Sequence, residues 1–301
     1  MTKGPDEGQH WAALGPRKPL SHSGLTLATV LERVKKPDGR QIGYIPLMPT
    51  LAEQMAGWLR QQVKAAGAGG IVVGLSGGVD SAVVARVSQM AMGGDLVTVI
   101  MPAYSDPQDE QDAGLVVQHF ELPVMTVDLS EPYNALLAQA QRAIATASPA
   151  ATESTDTAHR LALANVKPRL RMATLYFVAN HLNYLVAGTG NRSEIAIGYY
   201  TKYGDGGVDL LPLAMLVKSE VRALARELDV PMSIIEKAPS AGLWLGQTDE
   251  GEMGFTYGEL ERYLRQGPSA LAPALVMKIE RLIRASEHKR HLPPVFEPAP
   301  G

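Results

Sequence analysis

The feature that most constrains the fold is the alternation of short, β-branched apolar runs with amphipathic segments. The runs have the length and composition of buried parallel strands, and they lie at 71–75, 96–100, 124–127 and 184–187. Helices are predicted at 80–92, from Asp106 onward, and at 131–146, 160–182 and 218–229. This order predicts an α/β fold, a doubly wound parallel sheet with helices on both faces, Rossmann-like, that binds ligands at the carboxyl ends of its strands.

The two ends of the chain differ from this interior. Residues 1–45 are rich in Gly, Pro and Lys and are predicted to form an N-terminal arm with one helical run near Leu25–Val34. The main domain is predicted at 46–292, and its first helix should begin at the capping box Thr50-Leu51-Ala52-Glu53. Residues 293–301 contain four prolines and should form an extended tail.

Composition limits the chemistry that this chain can perform. The formal net charge is −3, from 28 basic and 31 acidic residues, so the chain lacks the basic field that nucleic-acid binding usually needs. No apolar stretch approaches the roughly 18 residues of a membrane span, and we expect a soluble, cytoplasmic protein without a membrane partner. The absence of cysteine excludes disulfides, thiolate metal sites and cysteine nucleophiles.

The strongest candidate for ligand binding is the glycine-rich segment after the first predicted interior strand, Gly74-Leu75-Ser76-Gly77-Gly78-Val79-Asp80-Ser81. Its glycines allow the backbone to approach a ligand closely, and the helix start that follows favours an anion such as phosphate. Ser76 and Ser81 offer hydroxyl donors, and Asp80 could hold a cation that neutralises phosphate charge. The alternative is a plain strand-to-helix turn with a serine cap.

Known loop motifs narrow the interpretation of this segment. It lacks the Lys-Ser/Thr pair of a Walker A loop, and it lacks the G-x-G-x-x-G dinucleotide fingerprint. Gly74–Gly78 does match the G-x-S-x-G nucleophile elbow of serine hydrolases, and His288 lies downstream in the expected order. An oxyanion loop of the H-G-G-G type is missing. A serine hydrolase is therefore an alternative function.

Ser76–Ser81 resembles the S-G-G-x-D-S loop of the N-type ATP pyrophosphatases, whose fold is adenine nucleotide alpha hydrolase-like. Four further blocks resemble the NAD synthetase family, ammonia-dependent type, and extend the similarity over residues 50–292. The blocks are Asn165–Met172, which is similar to that family's N-x-x-x-R-x-R-M, then Gly188–Glu194, Tyr200–Asp209 and Glu287–Arg290. Many bacterial members have G-T-D-H-A-A-E in the second block, where this chain has Gly190, Asn191 and Arg192.

The resemblance implies a set of site residues. The residues that it implies for ATP are Gly74, Leu75, Ser76, Gly77, Gly78, Val79, Asp80, Ser81, Thr189, Lys218 and Ser240. Those implied for deamido-NAD are Arg169, Lys202, Asp209, His288 and Lys289, and those for Mg²⁺ are Asp80 and Glu194. Arg169 and Arg171 cannot share a helix face, so only one need be a ligand, and the resemblance favours Arg169. Any single basic residue could instead be a solvated surface side chain. Thr256–Glu259 reads as a capping box with a structural role.

The implied reaction is the last step of NAD biosynthesis, in which ammonia amidates deamido-NAD with ATP as co-substrate and Mg²⁺ as cofactor. An acyl-adenylate forms first, pyrophosphate leaves, and no covalent nucleophile is expected. Glutamine-using relatives carry an amidase domain with a cysteine nucleophile, so the absence of cysteine predicts free ammonia as the donor, unless a separate subunit supplies it. The resemblance also implies a homodimer. Another adenylating ligase and a non-catalytic nucleotide sensor are the remaining alternatives.

Overall fold

The computed structural model describes residues 31–35, 41–46, 48–147, 156–240, 242, 244 and 247–297, with side chains from residue 48 onward except at 156–158. The chain divides into two units, 1–48 and 49–301. The described part of the first unit is an antiparallel hairpin of β1 (Leu31–Lys35) and β2 (Gln41–Pro46). The predicted helix near Leu25–Val34 is therefore wrong from residue 31 on, and its earlier residues lie outside the described part.

The second unit is built on a four-stranded parallel sheet. Its strands are β3 (Gly70–Gly74), β4 (Leu96–Ile100), β5 (Val124–Thr126) and β6 (Tyr184–Ala187), in the spatial order β5-β4-β3-β6. Val72 of β3 lies opposite Val97 of β4 on one side and Val186 of β6 on the other. The predicted fold class is confirmed. The chain first winds outward from β3 and then returns to place β6 beside it, so a ligand crevice is expected at the carboxyl ends of β3 and β6.

Helices of the second unit precede, separate and follow these strands. In chain order they are α1 (Leu51–Ala65), α2 (Val79–Met92), α3 (Pro107–Phe120), α4 (Ser130–Ala147), α5 (Asp156–Ala164), α6 (Val166–Leu182), α7 (Arg192–Ile197), α8 (Lys218–Glu227), α9 (Met232–Glu236), α10 (Asp249–Met253), α11 (Tyr257–Gln266), α12 (Pro273–Ala285) and α13 (Glu287–Arg290). The capping boxes at Thr50 and Thr256 are confirmed, as is the Asp106 cap of α3. Among the described residues, every helix is too short or too polar to cross a membrane.

Two hydrophobic clusters cover the two faces of the sheet. Because side chains alternate along a strand, Ile71 and Val73 face one cluster, and Val72 faces the other. The first cluster packs α1, α2, α3 and α8 on the sheet, and the second packs α6 on the opposite face. A third cluster packs α10, α11 and α12 against α7. The residues that follow β3 and β6 are thus surrounded by helices that approach from both faces.

The predicted helix at 160–182 is interrupted at Asn165, so α5 and α6 are separate helices. Pro168 explains the break, because the ring of a proline inside one continuous helix would clash with the carbonyl of residue 164. In the first turn of a new helix the proline is tolerated. The break leaves the side-chain oxygen of Asn165 to accept a hydrogen bond from the Thr201 hydroxyl at 2.7 Å.

Candidate active site

The glycine-rich loop joins the carboxyl end of β3 to the first turn of α2. Gly77 has a φ of 77°, where a side chain is strained, and a Cβ at this position would overlap the carbonyl oxygen of Asp109. The Ser81 hydroxyl donates to the carbonyl oxygen of Gly78 at 2.9 Å and accepts from the N–H of Ser76 at 3.2 Å. The loop is closed on itself by these bonds, and it leads into the N–H groups at the start of α2.

The geometry of Ser76 bears on the serine hydrolase alternative. Its hydroxyl oxygen lies 3.1 Å from that of Ser81, and no histidine in the described part of the chain forms a hydrogen bond with it. His288, the residue that a catalytic triad would recruit, has an exposed side chain. Because a serine nucleophile needs an adjacent general base, the structure does not favour a hydrolase.

Three charged side chains from distant parts of the sequence meet beside this loop, and we call Asp80, Glu194 and Lys218 the acid–lysine cluster. The Lys218 ammonium contacts the Asp80 carboxylate and lies 3.3 Å from Glu194 Oε1. Burial alone would lower the pKa of Lys218, but the charges of Asp80 and Glu194 outweigh it and raise that pKa. Burial raises the pKa of Glu194 to about 7, although the Lys218 charge opposes this shift. Lys218 therefore stays charged, and both carboxylates face its ammonium.

Asn191, the residue that caps α7, supports this cluster. Its side-chain oxygen accepts from the N–H of Glu194 at 3.1 Å and so caps α7, while Glu194 Oε2 accepts from the N–H of Asn191 at 3.2 Å. Its side-chain NH₂ donates to Asp80 Oδ1 at 3.0 Å. Asn191 thus fixes both carboxylates relative to each other, across the gap between β3 and β6.

Tyr257 and Asp249 are two buried residues of the site that the sequence analysis missed. The Tyr257 hydroxyl donates to Asp249 Oδ2 at 2.8 Å and lies 3.4 Å from Glu194 Oε1, while its ring lies 5.2 Å from the Lys218 ammonium. Burial raises the pKa of Tyr257, and the nearby carboxylates raise it further, so the phenol stays protonated. The other Asp249 oxygen is buried without a partner in the described residues. The capping box at Thr256 gave no sign that the next side chain reaches the site.

Asp80, Glu194, Lys218 and Asp249 line a cavity of about 450 Å³, a size typical of small-ligand sites, whereas Asn191 and Tyr257 lie outside its wall. Of the residues predicted for ATP and Mg²⁺, those that line it are Gly74, Leu75, Ser76, Gly78, Val79, Asp80, Ser81, Thr189, Glu194, Lys218 and Ser240. Ile100, Met101, Pro102, Leu175 and Val208 provide an apolar part of the wall. The structure therefore brings the predicted phosphate loop, the two acids and Lys218 into one cavity.

Four of the five residues predicted for deamido-NAD do not line this cavity, and we call them the outer set: Arg169, Lys202, Asp209 and His288. A guanidinium nitrogen of Arg169 lies 3.4 Å from the carbonyl oxygen of Lys202, and the Lys202 ammonium donates to the carbonyl oxygen of His288 at 2.6 Å. Asp209 accepts from the Tyr176 hydroxyl and from the N–H of Val186, each at 2.8 Å.

Lys289, the fifth predicted residue, does line the cavity. Its ammonium donates to the carbonyl oxygens of Gly198 and Tyr200 at 2.7 and 2.6 Å. Burial lowers the pKa of Lys289. Within the described residues, no three His, Asp or Glu side chains are grouped closely enough to form a metal-ligand set, so a metal site here depends on two carboxylates at most.

Comparison with known proteins identifies the family of this chain. The NAD synthase family model matches residues 51–293, and the chain belongs to the NAD synthase family. The NH₃-dependent NAD⁺ synthetase of Carboxydothermus hydrogenoformans is 51% identical over 243 residues, which cover 81% of this chain and 95% of that one.

Solved structures show the same fold. The NMN synthetase of Francisella tularensis is 36% identical with a TM-score of 0.73, and the match covers 83% of this chain and 97% of that one. The NH₃-dependent NAD synthetase of Campylobacter jejuni is 28% identical with a TM-score of 0.66, over 82% of this chain and 97% of that one. The predicted family is confirmed.

Proposed function

We propose that this chain is an ammonia-dependent NAD synthetase, which converts deamido-NAD to NAD with ATP as co-substrate. The observation that carries this proposal is the acid–lysine cluster beside the glycine-rich loop, in a chain of the NAD synthase family. A cavity that concentrates fixed charge at a phosphate-binding loop suits a reaction between two anionic nucleotides.

The chemistry proceeds in two steps. An oxygen of the nicotinate carboxylate attacks the α-phosphorus of ATP, the bond from that phosphorus to the bridging oxygen breaks, and pyrophosphate leaves. Ammonia then attacks the carbonyl carbon of the acyl-adenylate, AMP leaves with the bonding electrons, and one proton is released as the amide forms. The protein supplies positioning and charge rather than a nucleophile. Ser76, Gly77, Gly78 and Ser81 bind the departing pyrophosphate in this proposal, and Thr189 and Ser240 contact ATP.

Mg²⁺ fits the donor set of this site. Asp80 and Glu194 are hard oxygen ligands that come from separate elements, and both contact the Lys218 ammonium, so the two carboxylates lie close together. Mg²⁺ uses one or two protein carboxylates and completes its shell with phosphate oxygens and water. Bound there, it would neutralise charge on the nucleotide phosphates. Lys218 supplies a further positive charge from the protein itself.

We propose a homodimer that completes the dinucleotide site. The outer set lies outside the cavity of its own chain, so the second nucleotide half extends toward this exposed surface. Phe177 of α6 is 73% exposed, and α4 buries none of its residues although it carries Leu136 and Ile144. A second copy of this chain would cover these apolar side chains. In analytical ultracentrifugation, Phe177→Asp should convert a dimer to a monomer, and an unchanged sedimentation coefficient would contradict the proposal.

Free ammonia is the proposed nitrogen donor, because this chain has no cysteine to serve as an amidase nucleophile. The cytoplasmic location and the absence of a nucleic-acid partner stay predictions. Arg169, Lys202, Asp209, His288 and Lys289 stay the proposed deamido-NAD residues.

A second candidate function is amidation of nicotinate mononucleotide. The structure of the Francisella NMN synthetase has a higher identity to this chain and a higher TM-score than that of the Campylobacter NAD synthetase. Of the proposed dinucleotide residues, Lys289 alone lines the cavity among the described residues, so the cavity of one chain suits an acid substrate smaller than a dinucleotide. The two functions share the carboxylate chemistry and differ in the length of the acid substrate.

One assay tests both candidates. Purified protein receives ATP, Mg²⁺ and ammonium with either deamido-NAD or nicotinate mononucleotide, and pyrophosphate, AMP and amide product are measured. We expect equal amounts of the three products and a kcat/KM at least about tenfold higher for deamido-NAD. The reverse preference would establish the second candidate. ATP binding without pyrophosphate release from either acid would establish a nucleotide sensor, and turnover with glutamine alone would contradict ammonia dependence.

A further inference from the structure

Basic side chains from several helices and loops line the cavity, and they differ in whether they contact a carboxylate. Within the described residues, the basic side chains that line it are Arg171, Lys218, Lys237 and Lys289. Lys218 and Lys237 each contact two carboxylates, and Lys289 already belongs to the proposed dinucleotide residues. Arg171 has neither a carboxylate partner nor a proposed ligand. Lys237 also has no role in the proposed function, but two carboxylates already neutralise its charge.

Arg171 is held in place by neutral acceptors. Its Nε donates to the carbonyl oxygen of Met101 at 3.1 Å, and one terminal nitrogen donates to the Ser105 hydroxyl at 3.1 Å. No Asp or Glu in the described part of the chain lies within ion-pair distance of its guanidinium. Burial lowers the pKa of Arg171, while Asp109 and Asp205 oppose the shift from further away. An arginine nevertheless keeps its charge in a protein, so this charge is desolvated without an ionic partner.

Arg169, two residues earlier on α6, has the opposite environment. Its side chain is exposed and lies outside the cavity wall. Because successive helical residues are about 100° apart, residues separated by two point in nearly opposite directions. The sequence analysis favoured Arg169 as the ligand of this pair, and the geometry gives Arg171 the place in the cavity. Arg171 also comes from the sheet face opposite to Lys218, since α6 and α8 pack on different faces.

We propose that Arg171 binds an anionic oxygen of the two reacting groups, the nicotinate carboxylate or the α-phosphate that it attacks. This proposal rests on the proposed function. A guanidinium presents five N–H groups in a planar fork that matches carboxylate and phosphate geometry. Met101 and Ser105 use two of them, which fixes the fork at the carboxyl end of β4 and leaves the other terminal nitrogen for a ligand. The cavity then holds the reacting groups between Lys218 on one side of the sheet and Arg171 on the other.

The test compares Arg171→Gln and Arg171→Lys with a matched control, Arg86→Gln. Arg86 is a partly buried arginine of α2 that bonds Gln89 at 2.7 Å, packs on Phe120 and does not line the cavity. We expect Arg171→Gln to lower kcat/KM about 100-fold and Arg171→Lys about tenfold, since a charged donor is lost or misplaced. Arg86→Gln should leave kcat/KM within about twofold of the parent value. Millimolar guanidinium should restore part of the activity of Arg171→Ala.

Calorimetric titration with each ligand alone separates the two sources of the anion. A raised Kd for deamido-NAD with an unchanged Kd for ATP assigns the carboxylate, and the reverse assigns the α-phosphate. A purely structural brace between α6 and β4 would lower the melting temperature and leave both Kd values, the kinetics and the guanidinium response unchanged. That result would overturn the proposal.

Failure of the proposed function gives a different result. The parent protein would then release no pyrophosphate with either acid substrate, whatever residue 171 is. Binding of ATP or nicotinate mononucleotide to the parent and to Arg171→Gln would still be measured by the same titrations. Weaker binding by the variant would support an anion site at Arg171, and equal binding would overturn it.

Discussion

The acid–lysine cluster and the outer set are both rich in charge, but they are organised in opposite ways. In the cluster, Lys218 is buried and contacts two carboxylates, and Asn191 and Tyr257 hold those carboxylates in turn. In the outer set, the basic side chains of Arg169 and Lys202 are bonded to backbone carbonyl oxygens near the surface.

This difference indicates how strongly each region is organised before its proposed substrate binds. The proposed ATP side is preorganised inside one chain, because its charges already have fixed partners in a desolvated cavity. The proposed dinucleotide side offers cations that are exposed to water, where each contact contributes less, and in our proposal a second copy of the chain encloses the ligand. Substitutions in the cluster should therefore change catalysis strongly, and substitutions in the outer set should change mainly the affinity for one substrate.

The largest effect is expected from Lys218→Met. Removal of the ammonium leaves two buried carboxylates without their shared cation and removes a charge from the phosphate site, so kcat should fall about 10³-fold and stability by about 3 kcal/mol. Steady-state kinetics and urea unfolding measure the two losses. Arg265→Met is the control, because it breaks an exposed ion pair with Glu220, which lies on α8 like Lys218. It should lower the free energy of unfolding by less than about 1 kcal/mol and leave kcat unchanged. An active Lys218→Met protein with a normal KM for ATP would contradict the account of the cluster.

The next largest effect is expected from Gly77→Ala. The methyl group is strained at this positive φ and overlaps the backbone of α3, so the loop must shift, and kcat/KM for ATP should fall about 100-fold. Gly93→Ala is the matched control, because Gly93 also has a positive φ but nothing lies near its added Cβ. It should lose only about 1–2 kcal/mol of stability and keep its KM. Equal kinetic effects of the two substitutions would show that the close approach of loop and helix is unimportant.

A smaller effect is expected from Tyr257→Phe. Loss of the hydroxyl removes a donor to Asp249 and a neighbour of Glu194, so the apparent affinity for ATP in the presence of Mg²⁺ should fall about tenfold, while the fold persists. Initial rates at varied ATP and Mg²⁺ measure this change. Tyr263→Phe, on the same helix but with its hydroxyl beside Glu280 rather than the acid–lysine cluster, should have no kinetic effect. If the two variants behave alike, Tyr257 has no part in positioning the cluster.

The smallest effect is expected from Lys202→Met in the outer set. Its ammonium is only partly buried and bonds a backbone carbonyl, so the KM for deamido-NAD should rise about threefold to tenfold with kcat and the KM for ATP unchanged. Lys278→Met is the matched control, because Lys278 also donates to a backbone carbonyl, that of Gly254 at 3.0 Å, away from the cavity. If Lys202→Met also lowered kcat and the affinity for ATP, the outer set and the acid–lysine cluster would not differ in the way proposed here.

The sequence was most informative where local chemistry determines the structure. The four interior strands were placed to within a residue or two, because short β-branched runs between helical segments have few alternatives in a parallel sheet. Asp106 and Thr50 marked helix starts by the chemistry of their own side chains. The glycine-rich loop was recognisable because Gly77 has a backbone conformation that other residues rarely adopt.

The sequence was least informative about contacts that depend on tertiary packing. Nothing near Tyr257 in the chain indicates that its hydroxyl reaches Glu194, because α11 is brought to α7 by a separate hydrophobic cluster. Tertiary packing also decides between Arg169 and Arg171. Their spacing shows that the two side chains point in different directions from the helix, but not which of them faces the cavity. The interruption at Asn165 could have been predicted from Pro168, because the clash of a proline ring with the carbonyl four residues earlier depends on local sequence alone.

The most direct test follows the oxygen atoms of the acid substrate. Deamido-NAD labelled with ¹⁸O in its nicotinate carboxylate is incubated with ATP, ammonium and Mg²⁺, and the AMP produced is analysed by mass spectrometry. Attack of that carboxylate on the α-phosphorus transfers one labelled oxygen to each AMP and leaves the other in the amide of NAD. Unlabelled AMP formed together with NAD would contradict the acyl-adenylate on which the assigned roles of the loop, the cluster and Arg171 depend.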